Sequence, residues 1–214
     1  MKLLIIVFVF MVLIVPQSNS KAQIFRPFPE GLGVEVGGGQ NNLLWSGTPA
    51  ILMAGTQNFD RTHFYLTPNI RINYNIQFAE KYSSLFFVGY NRFGGATEIY
   101  NGFQDKYLYD VVEGGTFFLF STANFRFGAG LKANYITYVQ FYTITPHGSF
   151  RENRTELFTN WSEDFGIRTM YLFSHFSMNL EVWLGLSDLR NYQMLPSGGS
   201  VKENHFRFLV GYTL

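Results

Sequence analysis

Cysteine is absent from the 214-residue chain, and charged residues are scarce. Without cysteine there is no disulfide-stapled scaffold, thiolate metal site or cysteine nucleophile. Asp, Glu, Lys and Arg together make up 14% of the residues, whereas ordinary soluble domains have about 25%. The chain therefore has little of the charge that a water-facing surface normally carries.

The charges also balance, with 16 Lys and Arg against 15 Asp and Glu. A nucleic-acid binder needs a cationic excess to neutralise phosphates, so we expect no nucleic-acid partner. Aromatic residues are abundant instead, with 24 Phe, 13 Tyr and 3 Trp. Such a composition is too apolar for a disordered chain.

Long hydrophobic runs are missing beyond Gln23, so no transmembrane helix is expected there. The one long apolar run, Leu3 to Val15, follows Lys2 and is ended by Pro16. A small-x-small site at residues 20–22 completes the pattern of a secretory signal peptide. We expect a cleaved signal peptide over residues 1–22 and one exported domain over residues 23–214.

Strict alternation of apolar and polar residues is the main feature of the remaining chain. From Leu66 to Phe78, every second residue is apolar or Pro68, and the residues between them are polar. This period of two indicates a strand, and its length suits a tilted transmembrane strand of about 9 to 11 residues. Eight segments show such a pattern: 30–40, 66–78, 84–92, 107–121, 125–142, 164–173, 176–187 and 205–214. In the fourth, the run Phe117 to Phe120 leaves the parity open.

The connections between these segments alternate in length. Those after the second, fourth and sixth strands are short, at 79–83, 122–124 and 174–175. The others are long and rich in Asn, Gly, Asp and Glu, as in 91–115 and 143–163. Short periplasmic turns and long outer loops are typical of outer-membrane barrels. The predicted fold is all-β, an eight-stranded antiparallel transmembrane β-barrel in the cell outer membrane.

The last strand carries a further signal. Its alternating residues resemble the C-terminal signal read by the barrel-assembly machinery: Phe206, Phe208, Val210, Tyr212 and Leu214. With the architecture, they make the chain similar to the small eight-stranded outer-membrane barrels of Gram-negative bacteria, the OmpX-, OmpW- and PorT-like superfamily. The resemblance implies contact with outer-membrane lipid and lipopolysaccharide, and with the assembly machinery during biogenesis. A larger outer-membrane protein complex is a further candidate partner.

An eight-stranded barrel has an interior just wide enough for side chains. With the apolar faces outward, seven charged residues are predicted to point into the lumen: Glu35, Arg71, Arg126, Lys132, Arg168, Glu181 and Arg207. One interpretation is a structural polar network that fills the lumen. The other is a narrow pore, which would favour anions because five of these residues are positive and two negative.

The outward aromatic residues are expected to form the two girdles that flank the apolar band of a membrane barrel. They are Tyr74, Phe78, Tyr90, Tyr135, Phe141, Tyr171, Phe173 and Tyr212.

One short segment offers candidate chemistry. His175 and Ser177 loosely resemble the His-x-Ser element of outer-membrane lipid A deacylases, in which His activates a Ser nucleophile. Glu181 or Asp188 is a candidate orienting carboxylate. However, Met178 stands where that family has Asn directly after its Ser, and His175 falls in a predicted periplasmic turn.

We expect no cofactor and no metal site, because His63, His147 and His205 lie in or beside predicted outer loops without suitable partner spacing. The charged loop from Arg151 to Asp164 is either a lipopolysaccharide-facing loop or a docking surface. The expected function is a non-enzymatic structural or interaction barrel, or a subunit of a larger complex. A lipid A-modifying enzyme and an anion-leaning pore are the alternatives.

Overall fold

The computed structural model describes residues 30–46, 65–96, 104–191 and 200–214, and most of them belong to strands. The signal-peptide prediction for residues 1–22 lies outside these ranges. The described strands are β1 (Gly31–Ser46), β2 (Tyr65–Ala79), β3 (Tyr82–Ala96), β4 (Gln104–Thr122), β5 (Phe125–Thr145), β6 (Gly148–Asn153), β7 (Trp161–Phe173), β8 (Phe176–Gly185) and β9 (Ser200–Thr213). A single 3-10 turn, Thr155–Leu157, lies between β6 and β7. In the described ranges, no helix is both long and apolar enough to cross a membrane.

Eight of the strands close into a ring. Their order is β4-β3-β2-β1-β9-β8-β7-β5, and pairing of β4 with β5 completes the circle. Every pairing is antiparallel, including that of the first strand with the last. The remaining strand, β6, is not part of the ring. Among the described residues, it pairs with residues 140–145 of β5. The predicted eight-stranded antiparallel barrel is confirmed.

Side chains alternate between the lumen and the outside as predicted. On β2, Ile70 and Ile72 are about half exposed on the outer face, while Arg71 between them is buried. The apolar outer face suits lipid, and the enclosed polar face is shielded from it by the barrel wall. In β4, Phe117 and Leu119 point inward, whereas Phe118 and Phe120 point outward. This settles the parity that the run of apolar residues left open.

The strands extend further at the outer end than the sequence suggested. β3 continues to Ala96 and β4 begins at Gln104, so much of the predicted loop 91–115 is paired strand. There Arg92 lies opposite Asp110 in the ladder. Charged residues and glycines gave this segment the composition of a loop, but a ladder above the membrane can carry them on a water-facing side. The prediction of a long loop here is wrong.

A β-bulge changes the parity of β5. Its register with β4 shifts so that Asp110 pairs with Tyr138 and Val111 with Ile136, which leaves Thr137 as the extra residue. The Thr137 hydroxyl donates to the Asp110 carbonyl at 2.9 Å. Beyond this point Val139 and Phe141 are buried inside the barrel. The prediction that they face outward, and that Phe141 joins an aromatic girdle, is therefore wrong.

Candidate functional site

The middle of the lumen holds four charged residues, here called the central charge layer: Glu35, Arg71, Arg168 and Glu181. Glu35 and Arg71 are opposite each other on β1 and β2, and Arg168 and Glu181 on β7 and β8. The two pairs approach each other across the lumen. Their exposed fractions do not exceed 2%.

Each arginine of the central charge layer contacts both glutamates. Arg71 Nε lies 2.5 Å from Glu35 Oε2, and its Nη1 donates to Glu181 Oε2 at 3.1 Å. Arg168 Nη1 lies 2.5 Å from Glu181 Oε1 and donates to Glu35 Oε2 at 3.2 Å. Two positive and two negative charges thus neutralise one another in a medium that would penalise either sign alone.

Aromatic rings pack against the same arginines. The Arg71 guanidinium lies 4.6 Å from the centroid of the Phe87 ring, and that of Arg168 lies 5.5 Å from Phe117. Trp183 donates its indole N–H to Glu181 Oε2 at 2.9 Å. The cross-section is therefore filled by ion pairs and by rings that interact favourably with cations.

A second group lies nearer the outer end and is called the outer charge layer. It contains Glu113, Lys132, Asp164, Glu203, His205 and Arg207, all buried. Lys132 Nζ lies 3.0 Å from both Glu113 Oε2 and Asp164 Oδ2, and Arg207 Nη1 lies 2.8 Å from Glu113 Oε1.

Near the short turns, Arg126 Nη1 donates to Asn75 Oδ1 at 2.9 Å. Arg126 also lines a cavity of about 20 Å³ with Ser177 and Met170. A void of that size holds about one water molecule, which is far too small for a solute.

The structure thus places all seven predicted lumen residues inside the barrel, in the central layer, in the outer layer or near the short turns. It adds three carboxylates that belong to the outer charge layer: Glu113, Asp164 and Glu203. Glu113 was missed because the parity of β4 was open, and Glu203 because β9 begins earlier than predicted. Asp164 is the first residue of the predicted sixth strand and was not counted among its inward residues. The two charge layers together with Arg126 then contain as many carboxylates as Lys and Arg residues. The excess of positive charge on which the anion-selective pore was based is therefore absent from these described residues.

His205 also lies elsewhere than predicted. The sequence placed it in or beside an outer loop, but β9 begins at Ser200, and His205 is 2% exposed within the lumen. Its inward position follows from the same alternation that directs Arg207 inward.

The candidate catalytic pair is not assembled into a relay with either proposed carboxylate. His175 lies exposed in the turn between β7 and β8, and its Nδ1 is 3.2 Å from the Thr213 carbonyl. Ser177 is buried and accepts a hydrogen bond from Asn179 at 3.1 Å. Glu181 belongs to the central charge layer, and Asp188 binds the Arg190 guanidinium at 2.8 Å.

At the outer end the lumen becomes apolar. The outer apolar cluster consists of Leu43, Phe93, Tyr107, Tyr109, Val111, Ile136, Val139, Phe141, Phe158, Leu189 and Val201. Phe158, which follows the 3-10 turn, lies with its ring 5.1 Å from that of Tyr109. Burial raises the pKa of Tyr107, beyond the apolar outer band, to about 12. Its neutral hydroxyl accepts a hydrogen bond from Arg154 at 3.3 Å.

The predicted assembly-signal residues lie on the outer face of β9. Phe208, Val210 and Tyr212 are exposed there, Phe206 is half-buried, and Leu214 follows the end of the strand. Their recognition by the assembly machinery stays a prediction.

Neither a protein-family model nor a curated protein matches the sequence. Solved structures do match. Neisserial surface protein A has a TM-score of 0.53 at 9% identity, with 86% of this chain and 97% of that protein covered. Ail, the attachment invasion locus protein of Yersinia pestis, has a TM-score of 0.47 at 14% identity, covering 87% and 100%. OprG from Pseudomonas aeruginosa, an outer-membrane protein, has a TM-score of 0.41 at 13% identity, covering 86% and 97%.

At such identities the likeness concerns the fold, and the match to neisserial surface protein A is the one that carries weight. The closed ring and the apolar outer face agree with it. The chain has the fold of a small outer-membrane β-barrel.

Proposed function

We propose that this protein is a non-enzymatic barrel of the outer membrane that acts through its outer surface rather than by transport or catalysis. The observation that supports this proposal is the filling of the lumen: two charge layers and the outer apolar cluster follow one another along the axis. A side chain buried in such a stack cannot meet a solute without opening the barrel.

Among the residues that the structure describes, the surface that remains for partners is the outer extension, formed by the far parts of β4 and β5 with β6. All six residues of β6 are exposed, and Phe150 keeps 56% of its surface accessible. Arg154 lies 4.1 Å from the centroid of the Phe141 ring of β5, which connects the segment after β6 to the barrel, and its Nε lies 2.9 Å from Glu152 Oε2 of β6. A fixed, exposed aromatic residue is a typical anchor for a protein interface. The exposed residues of the Arg151–Asp164 segment are accordingly assigned to a docking surface, whereas Phe158 and Asp164 of this segment are buried. Lipid and lipopolysaccharide surround the barrel wall.

The first test is purification of the tagged protein from its own outer membrane in mild detergent, followed by mass spectrometry. We expect a stoichiometric protein partner that is retained by Lys81→Ala, at the opposite end, and lost with Phe150→Asp. Recovery of the barrel with lipid alone, or a partner held equally by both variants, would contradict the proposed surface.

The second test addresses transport. The wild-type protein should give no current steps in planar bilayers. Reproducible conductance of the wild-type barrel would overturn the closed-lumen proposal.

A further inference from the structure

The outer charge layer contains one more fixed negative charge than fixed positive charge. Its carboxylates are Glu113, Asp164 and Glu203, and its permanent cations are Lys132 and Arg207. Glu113 contacts both cations, and Lys132 is shared with Asp164. Because an uncompensated charge is costly inside a barrel, the region around Asp164 and Glu203 calls for a further positive charge.

Asp164 and Glu203 each have one buried carboxylate oxygen without a hydrogen-bond partner. The Asn134 amide nitrogen donates to Asp164 Oδ2 and to Glu203 Oε1, both at 2.9 Å. The second oxygen of each carboxylate, Asp164 Oδ1 and Glu203 Oε2, is buried and has no hydrogen-bond donor. Both residues are at least 99% buried, so bulk water does not supply one.

His205 completes the group and has its own unsatisfied atom. Its Nδ1 contacts Asn41 Oδ1, and the Asn41 amide nitrogen is directed to Thr67 Oγ1. An amide oxygen only accepts, so Nδ1 carries the hydrogen. In the neutral ring Nε2 then presents a lone pair, 3.2 Å from Glu203 Oε1 and 3.9 Å from Asp164 Oδ2, with no hydrogen-bond partner. Lone pairs facing one another repel unless a cation lies between them.

Each residue of this group can offer one ligand atom, namely a carboxylate oxygen of Asp164, a carboxylate oxygen of Glu203 and a ring nitrogen of His205. The three atoms lie within 4.8 Å of one another. We propose that these three residues bind a divalent transition-metal ion, for which Zn²⁺ is the best match. One imidazole nitrogen and two carboxylate oxygens form a set that Zn²⁺ accepts. The contact of Asn41 with Nδ1 is the type of support that fixes a metal-binding histidine in one tautomer.

The position of the site determines how the ion enters. On the outer side, Phe93 packs edge-on against the His205 ring at 5.1 Å and belongs to the outer apolar cluster. On the other side, the Trp183 ring lies beneath Lys132 at 5.0 Å. The ion is therefore bound while the barrel closes and is retained afterwards. A chelator should prevent loading during folding but remove little from the closed barrel.

The experiment is to fold the full chain into detergent micelles with Zn²⁺, to wash it with chelator, and to measure zinc per chain by mass spectrometry. We expect about one ion per barrel, and about none when chelator is present during folding. Two ligand variants should each lower the zinc content at least about tenfold: Glu203→Gln and His205→Asn. The asparagine retains a hydrogen-bond donor near the position of Nδ1. Glu113→Gln, in the same layer but outside the group, should retain the zinc.

Folding of each variant is checked by the heat-dependent mobility of the barrel on electrophoresis; if His205→Asn fails to fold, Glu203→Gln decides. Less than about one ion per ten wild-type chains would overturn the proposal and leave a proton as the compensating charge. Equal zinc in wild type and Glu203→Gln would also overturn it, because the metal would then be bound elsewhere. Loss of zinc from folded Glu113→Gln would contradict the proposal, because the metal would then depend on the net charge of the outer charge layer rather than on the three proposed ligands.

Discussion

The middle and the outer end of this barrel differ in which residues are buried inside and which face outward. In the middle, charged residues such as Arg71 and Glu181 are buried inside while isoleucines and valines face outward. At the outer end, Phe93 and Tyr109 are buried inside while Arg92 and Asp110 lie on the outward face. The same strands carry both arrangements. The difference shows that the residues of each face match the solvent around the barrel. Where lipid surrounds it, the outer face is apolar; where water surrounds it, apolar residues are buried inside, as in a soluble protein.

The largest effect is expected from breaking the central charge layer. Arg168→Met keeps much of the side-chain volume but leaves Glu35 and Glu181 with one arginine between them. We expect a loss of about 3 to 5 kcal/mol in the free energy of unfolding, because a buried charge loses its partner. Equilibrium urea unfolding in micelles, followed by tryptophan fluorescence, measures it.

The double variant Glu35→Gln/Arg168→Met is the matched control for that experiment. Removing one charge of each sign should cost less than the sum of the two single changes. A loss below about 1 kcal/mol for Arg168→Met would mean that water reaches the layer.

A steric test compares two glycines of the barrel wall, Gly166 on the lumen face and Gly114 on the outer face. A Cβ on Gly166 would lie 2.3 Å from the Trp183 ring, whereas one on Gly114 would meet its nearest atom at 3.7 Å. Gly166→Ala should therefore destabilise the barrel by about 1 to 3 kcal/mol through overpacking. Gly114→Ala should change the stability by less than about 0.5 kcal/mol. Equal effects in thermal unfolding would show that the interior near Trp183 is loosely packed.

A smaller effect distinguishes a core from a lipid-facing surface. Ile136, in the outer apolar cluster, is 2% exposed, while Ile72 on the outer face is 51% exposed. Ile136→Val should cost about 1 kcal/mol, since the removed methylene leaves a gap in a close-packed region. Ile72→Val should cost less because lipid or detergent fills the space. If Ile72→Val proves the more costly of the two in urea unfolding, the outer end is not a close-packed core.

The smallest effect is expected at the exposed pair of the outer end. Arg92 Nε lies 2.5 Å from Asp110 Oδ1, a contact similar to those in the central charge layer, but the Arg92 side chain is 39% exposed. Arg92→Ala should lower stability by about 0.5 kcal/mol, and salt should reduce the difference further. Unfolding at low and high salt tests this. A loss of stability as large as that of Arg168→Met would show that burial does not explain the difference between the two arginines.

The sequence predicted the spanning part of the fold because its alternation has a simple period. The faces of β2, β7 and β8 and the inward position of Arg71 and Arg168 all follow from counting by two. Two features are invisible to such counting. The extra residue at Thr137 reverses the parity of β5 without any change in composition, and the water-facing ends of β3 and β4 have the composition of loops.

The candidate metal site could not be predicted for the same reasons. Of Asp164, Glu203 and His205, only Glu203 lies before the predicted start of its strand. The proximity of the three depends on the register of β7, β8 and β9. Extending the alternation of Phe206, Phe208 and Val210 backward along the chain would have directed His205 and Glu203 inward. The approach of Asp164 requires the closed ring.

Pairing of the first strand with the last has a consequence for how the protein forms. Glu35 lies opposite Gly211 in this seam, so residues 176 positions apart in the sequence must meet. Closing so large a loop is slow, and no local segment can bypass it. A chain that stops before β9 leaves two sheet edges whose backbone groups have no partners in lipid, each costing several kcal/mol. Membrane insertion should therefore be all-or-none and timed by the arrival of the C-terminal strand, with partial products left for proteases.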